Sequence, residues 1–192
     1  MNGKPSVLSL PTIGNPNYFT TYKLTDGSLV NVHTLDTAGQ ETFKSLTENY
    51  YKKADCCLLV YDISNYKSFE ECKTYYNKCI KEKCKNNVKV MLLGNKTDLE
   101  NKRKVESIEA SDFALENEYM FMETSCLKNT NVANAFETLI EITNIEAKKN
   151  GDTNTNKGLK LKNEKTEFLK KYVLAYLNNF FKYAYLNIIL YI

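Results

Sequence analysis

Apolar positions along the chain follow two periods, and the switches between them lay out the elements. Residues 18–24 and 29–35 read as two strands, and Asp26-Gly27 between them is a hairpin turn signal. Residues 56–61 (CCLLVY) and 88–93 (VKVMLL) are nearly continuous apolar runs, as expected of strands covered on both faces. Residues 119–123 form a shorter run of the same kind. Between the runs the spacing turns helical. Phe69, Cys72, Tyr76, Cys79 and Ile80 fall on one helix face, as do Ala110, Phe113 and Ala114. Val132, Ala135, Phe136, Leu139, Ile140 and Thr143 form a third stripe.

After residue 35 the order is helix, strand, helix, strand, helix, strand, helix. That alternation predicts an α/β fold, a doubly wound and mostly parallel sheet with helices on both faces. Residues 148–167 break the pattern: they are Lys- and Asn-rich, aperiodic, and read as a flexible linker. Residues 168–192 then become aromatic and aliphatic. They could form a helix with a broad apolar face and a narrow polar stripe of Lys171, Asn178 and Lys182, suited to lying on a membrane surface. Their composition equally fits translated AT-rich non-coding sequence.

Charge sharpens this division. The net charge of +3 conceals nine Lys against three acidic residues in 148–192, so the body before it is mildly acidic. A basic excess confined to a tail does not indicate a nucleic-acid-binding domain. The six Cys contain no CxxC pair and the one His, His33, lies far from them in sequence, which argues against a zinc site. Buried, reduced thiols in a cytoplasmic protein are the expectation, and no apolar leader segment predicts secretion.

In an open parallel sheet, ligands bind beyond the carboxyl ends of the strands. Three polar clusters fall at such ends. Asp36-Thr37-Ala38-Gly39-Gln40-Glu41 follows the second strand. There an acid can hold Mg²⁺ through water, a Gly lets a backbone N–H approach a phosphate, and a Gln can orient a water. Asn95-Lys96-Thr97-Asp98 follows the VKVMLLG run, where a fixed carboxylate can accept two N–H donors from a guanine edge. Glu123-Thr124-Ser125-Cys126-Leu127 follows the last strand and can turn backbone N–H groups toward a base carbonyl. Taken singly, each also reads as an ordinary turn or helix-capping loop.

In this order, the clusters resemble the motifs of the Ras superfamily of small GTPases, and the Rab branch most closely. DTAGQE at 36–41 is similar to the family's switch II, NKTD at 95–98 to its guanine-specificity motif, and ETSCL at 123–127 to its third base-binding loop. PTIG at 11–14 resembles Rab switch I, and YYKKA at 50–54 and LVYDIS at 59–64 resemble Rab segments. The resemblance implies that Thr12 and Asp36 hold Mg²⁺, Gly39 meets the γ-phosphate and Gln40 positions the hydrolytic water. It implies that Asn95, Lys96, Asp98, Ser125, Cys126 and Leu127 form the guanine pocket. The implied ligands are GTP or GDP with Mg²⁺; the implied partners are GTPase regulators and vesicle-trafficking effectors of a monomeric protein. Peripheral attachment to endomembranes through the tail goes with that reading.

The front of the chain departs from the family. A GxxxxGK[ST] phosphate loop between a strand and a helix is expected; the chain reads MNGKPSVLSLPTIG, with Pro5 where a hydroxyl belongs. Residues 1–147 are therefore expected to form a P-loop GTPase-type domain without its first strand, P-loop and helix. That leaves bare edges in the sheet, or a stand-in such as residues 7–10. No Cys follows Cys126, so the prenyl anchor of Rabs has no acceptor in this chain. Two function classes follow: a Rab-like GTPase impaired in binding and hydrolysing GTP, or a pseudo-GTPase interaction module that does not hydrolyse.

Overall fold

The computed structural model describes residues 17–36, 51–149 and 187–191. Strands β1 (Asn17–Lys23) and β2 (Leu29–Asp36) form an antiparallel hairpin, with Lys23 opposite Leu29 and Asn17 opposite Leu35. The turn is held by Leu24 N–H donating to Ser28 O at 2.8 Å and by the Asp26 carboxylate, which accepts from both Ser28 N and Ser28 Oγ. Gly27 sits at φ +83°; nothing lies within 4 Å of where its Cβ would be, so the dihedral and not crowding demands glycine.

Strands β3 (Cys56–Asp62), β4 (Lys89–Asn95) and β5 (Met120–Glu123) pair in parallel, as the apolar runs predict. All of β3 is buried, and its side chains alternate between two cores. Cys56, Leu58 and Val60 pack with Val132, Ala135, Phe136, Leu139 and Ile140 of α4 (Val132–Lys149). Cys57, Leu59 and Tyr61 pack on the opposite face with Phe69, Cys72, Ile80, Ala110 and Ala114. Those five come from α1 (Tyr66–Glu71), the π-helical turn Cys72–Tyr76 that continues it, α2 (Asn77–Lys83) and α3 (Ser107–Glu116). The layered α/β architecture is the one the periodicity predicts. Cys56, Cys57, Cys72, Cys79 and Cys126 are buried and all six Cys are free, with burial pushing the Cys56 and Cys72 thiols up to about 12.

Two expectations need correction. Helix α4 runs to Lys149, past the linker boundary expected after 147. Cations suit a helix C-terminus, and Lys148 Nζ lies 2.8 Å from Asp26 Oδ2 in the hairpin turn, which extends the helix's useful contacts. The second concerns the tail. A helix over 168–192 does not reach the chain's end: Asn187–Tyr191 is a strand, β6, while residues 150–186 lie outside the described part. The strand order is β1-β2-β6-β3-β4-β5, so β6 fills the gap between β2 and β3 and runs antiparallel to both. Strand edges left unpaired inside a sheet expose N–H and C=O groups, and a short apolar β-branched run such as NIILY supplies partners for both at once. The gap is therefore filled by this segment; residues 7–10, the stand-in considered from sequence, lie outside the described residues.

Gly94 of β4 stands opposite Tyr61 of β3. A Cβ there would lie 2.6 Å from Tyr61 Oη and 2.9 Å from Cζ, and Tyr61 is 1% exposed. The Tyr61 hydroxyl has no hydrogen-bond partner among the described residues. Gly94→Ala should therefore cost about 1–3 kcal/mol through overpacking. Tyr61→Phe, which removes an unpaired buried hydroxyl, should be neutral or stabilising, and the double variant should recover part of the Gly94→Ala loss. Urea-denaturation midpoints of the three variants check this, and additive losses in the double variant would contradict it.

Candidate functional site

Strands β2, β3, β4 and β5 run in one direction, so Asp36, Asp62, Asn95 and Glu123 mark the same end of the sheet. Beyond β4 the chain makes an abrupt bend. Lys96 takes the left-handed region, φ 69° and ψ 39°, a conformation that a non-glycine residue adopts only when its surroundings fix it. The fixing contact is an ion pair: Lys96 Nζ lies 2.7 Å from Asp62 Oδ2 at the end of β3. The other Asp62 oxygen accepts from Ser64 N at 2.8 Å and Ser64 Oγ at 2.6 Å. Burial pushes the Asp62 carboxyl up, but the Lys96 and Ser64 donors outweigh it and hold the group below its ordinary 3.8.

The bend delivers Asp98 into the first turn of the 3₁₀ segment Thr97–Lys102. There Asp98 Oδ1 accepts the Ser125 hydroxyl at 2.5 Å. Among the described residues the second oxygen, Oδ2, takes no hydrogen bond, and Asp98 is only half-buried. Ser125 Oγ in turn accepts Lys128 N at 3.1 Å, and the Ser125 backbone pairs with Thr130 in both directions. Asn129 and Asn131, on either side of Thr130, take positive φ, which lets this loop double back so tightly. Asn95 is buried, and its Oδ1 accepts Thr124 Oγ1 at 3.4 Å and the Cys126 thiol at 3.5 Å. Thr97 N donates to Thr124 O at 3.1 Å. The loops after β4 and β5 are thus stitched into one unit.

Two residues that sequence reasoning passed over hold that unit in place. Asp62 appeared only as a letter within a strand-end segment; its pairing with a Lys thirty-odd positions on is a property of the β3–β4 register, where Asp62 lies opposite Asn95. Arg103, the sole Arg of the chain, clamps the back of the 3₁₀ segment. Its guanidinium donates to both Glu100 oxygens at 2.8 and 2.7 Å, to both Glu123 oxygens at 2.7 and 3.1 Å, and to Val105 O at 3.0 Å. Lys could not make this planar, two-sided set of contacts. The lone Arg in so Lys-rich a chain was the available signal.

Of the residues singled out from sequence, Asn95, Lys96, Asp98, Ser125, Cys126 and Leu127 lie together in these two loops. Leu127 is 74% exposed, whereas burial pushes the Cys126 thiol up to about 12 and makes it a packing group rather than a nucleophile. Asp36 ends β2 at the same end of the sheet. Thr12, Gly39 and Gln40 lie outside the described residues. The chemical capacity of the loops is specific: a half-exposed carboxylate, held by a buried hydroxyl and with one oxygen open, suits a planar edge bearing two adjacent N–H donors. Guanine has such an edge.

Comparison with known proteins bears on the same residues. A family model described as the Ras family matches residues 6–145, a span that holds both loops. The chain belongs to the Ras family. The relatives compared are Ras-related proteins, most of them Rab proteins, so the chain is Rab-like. It is 45% identical over 114 residues to the Ras-related protein Rab-13 of Canis lupus familiaris, covering 59% of this chain and 56% of that protein. It is 39% identical over 158 residues to Rab-8A of Bos taurus, covering 79% of this chain and 74% of that protein. It is 40% identical over 134 residues to Rab-11B of Dictyostelium discoideum, covering 70% of this chain and 60% of that protein. The chain thus spans little more than half the length of the dog protein. No helix among the described residues is long and apolar enough to cross a membrane.

The Asp62–Lys96 pair links the stability of the fold to pH. Because the folded pKa of Asp62 is lowered, the pair contributes stability above 3.8 that is lost as pH falls through the lowered folded value. In Lys96→Met the burial of Asp62 remains without its cation, so its pKa should rise and this acid-limb loss should shrink or reverse. Denaturant unfolding between pH ~7 and pH ~2 reads the slope; an acid limb unchanged by the substitution would contradict the assignment.

Proposed function

We propose that the chain is the switch domain of a Rab-like GTPase of vesicle trafficking, and that the two stitched loops read guanine. The observation that carries this is Asp98, half-exposed, fixed by Ser125 and with one oxygen open. In this reading Asp98 accepts the two N–H donors of guanine, the Lys96 stem covers the ring, and Asn95 braces the loops. Ser125, Cys126 and Leu127 close the base pocket with their backbone. The donor set suits a nucleoside base, and bound guanine nucleotide would supply the phosphates on which switching and hydrolysis depend. Thr12 and Asp36 are the proposed Mg²⁺ ligands, Gly39 the proposed γ-phosphate contact, and Gln40 the residue proposed to orient water. Effectors and GTPase regulators are the proposed partners, with attachment to endomembranes peripheral.

This chain carries no GxxxxGK[ST] run. A Walker loop and its Lys supply most phosphate contacts in this chemistry. The 192-residue chain is therefore proposed to bind the base better than the phosphates, and to hydrolyse GTP poorly. One observation favours the second reading, a non-hydrolysing interaction module. The slot between β2 and β3 is held by β6, whose first residues lie at the sheet end that carries Asp36. Being antiparallel to both neighbours, β6 ends at the opposite end of the sheet and so leads into no phosphate loop at this one.

Calorimetric titration with guanosine, GDP and GTP in Mg²⁺ separates the readings. Guanosine and GDP binding with comparable affinity supports a base-reading domain with a weak phosphate site; no binding of any of the three supports the interaction module. Asp98→Asn provides the specificity test. An amide offers a donor where the carboxylate accepted two, so guanosine affinity should fall by ~10²-fold or more. Xanthosine, with a carbonyl in place of the amino group, should gain on it. Unchanged guanosine affinity in the variant would exclude Asp98 as the base reader.

A further inference from the structure

Strands β2 and β3 run in the same direction but do not pair with each other; β6 separates them. The register places Ile189 between Leu35 and Cys57, each 1% exposed, and Leu190 between Thr34 and Cys56. The occupant comes from the far end of the chain, and residues 150–186 join it to α4. It is also shorter than the slot. On the sides facing it, β6 pairs with only His33–Asp36 of β2 and Cys56–Leu59 of β3. In these pairings Leu29–Val32 and Val60–Asp62 extend beyond its reach. A five-residue strand forms few ladder bonds. Because it belongs to the same chain, its seating is intramolecular, which gives it an advantage over the same sequence free in solution.

We propose that the slot between β2 and β3 is a strand-acceptor site for an extended apolar peptide, with Asn187–Tyr191 of this chain seated in it in cis and replaceable by the same sequence supplied in trans. Recognition is by β-augmentation on two edges at once. Main-chain hydrogen bonds to both neighbours give the affinity, and the alternation of the two cores on either face selects an apolar run. The inference is independent of nucleotide binding and stands whether or not the loops read guanine.

The test uses the full chain. Hydrogen exchange read by mass spectrometry should show the amides of 187–191 slowed at least ~10-fold relative to the urea-unfolded chain. Ile189→Pro removes a ladder donor and should abolish that protection. It should also speed exchange at 33–36 and 56–59 while 90–93 stay protected. A fluorescein-labelled synthetic peptide of residues 185–192, bearing added N-terminal lysines for solubility, should bind Ile189→Pro at least ~10²-fold more tightly than the unsubstituted chain, whose own tail competes. Tail amides exchanging at the unfolded rate, or a peptide that binds both proteins alike or neither, would overturn the proposal. Ile189→Cys covers the case in which the proline variant does not fold. Directly opposed residues of an antiparallel pair have Cα atoms ~4.5–5.5 Å apart, within disulfide range. Mild oxidation should link the introduced thiol to Cys57 within one monomeric chain. An interchain bond would place the tail in a second copy and overturn the cis assignment, and so would the absence of a bond to Cys57.

Discussion

The structure depends on one constraint, the burial of β3 and β4 on both faces. Every residue of β3 and all but the first of β4 are buried, so an unpaired polar side chain along either strand is costly, and the Tyr61 hydroxyl is the one exception among the described residues. Polar groups are displaced to the carboxyl ends, where Asp62 and Asn95 lie opposite each other. The same two-sided burial demands helices on both faces and forces the chain to cross over between parallel strands. Both layers of the fold and the position of the candidate site follow from it.

At the carboxyl ends, specificity is a matter of rigidity. A carboxylate distinguishes one base edge from another only if it cannot swing to accommodate the wrong one. Asp98 is held from three directions. Ser125 fixes one oxygen, the Lys96–Asp62 pair holds the bend that delivers it, and Arg103 ties the back of its segment to Glu123. The backbone strain at Lys96 is the local expense of that placement. Membership of the Ras family gives this rigid carboxylate its context, and the guanine reading is the use we propose for it.

Much of this was legible in the chain. The apolar runs at 56–61 and 88–93 announced strands covered on both faces, and the stripes at Phe69–Ile80 and Val132–Thr143 announced the helices that cover them. The polar clusters at strand ends located the loops because a parallel sheet leaves few other places for ligand chemistry. What escaped reading depended on partners distant in sequence. Asp62 matters because of register, and Arg103 because Glu123, twenty positions on, meets it in space. The tail was the clearest case. NIILY satisfies helix and strand patterns equally over so short a run, and only the open slot between β2 and β3 decides between them.

The central claim is that the loops after β4 and β5 act as a single guanine-reading unit, and amide NMR of the isotopically labelled full chain tests it most directly. Titration with guanosine should shift the amides of Asn95 to Asp98 and of Ser125 to Leu127 together, along one saturation curve, while adenosine leaves them in place. Loops that respond separately, or equally to both nucleosides, would contradict the account.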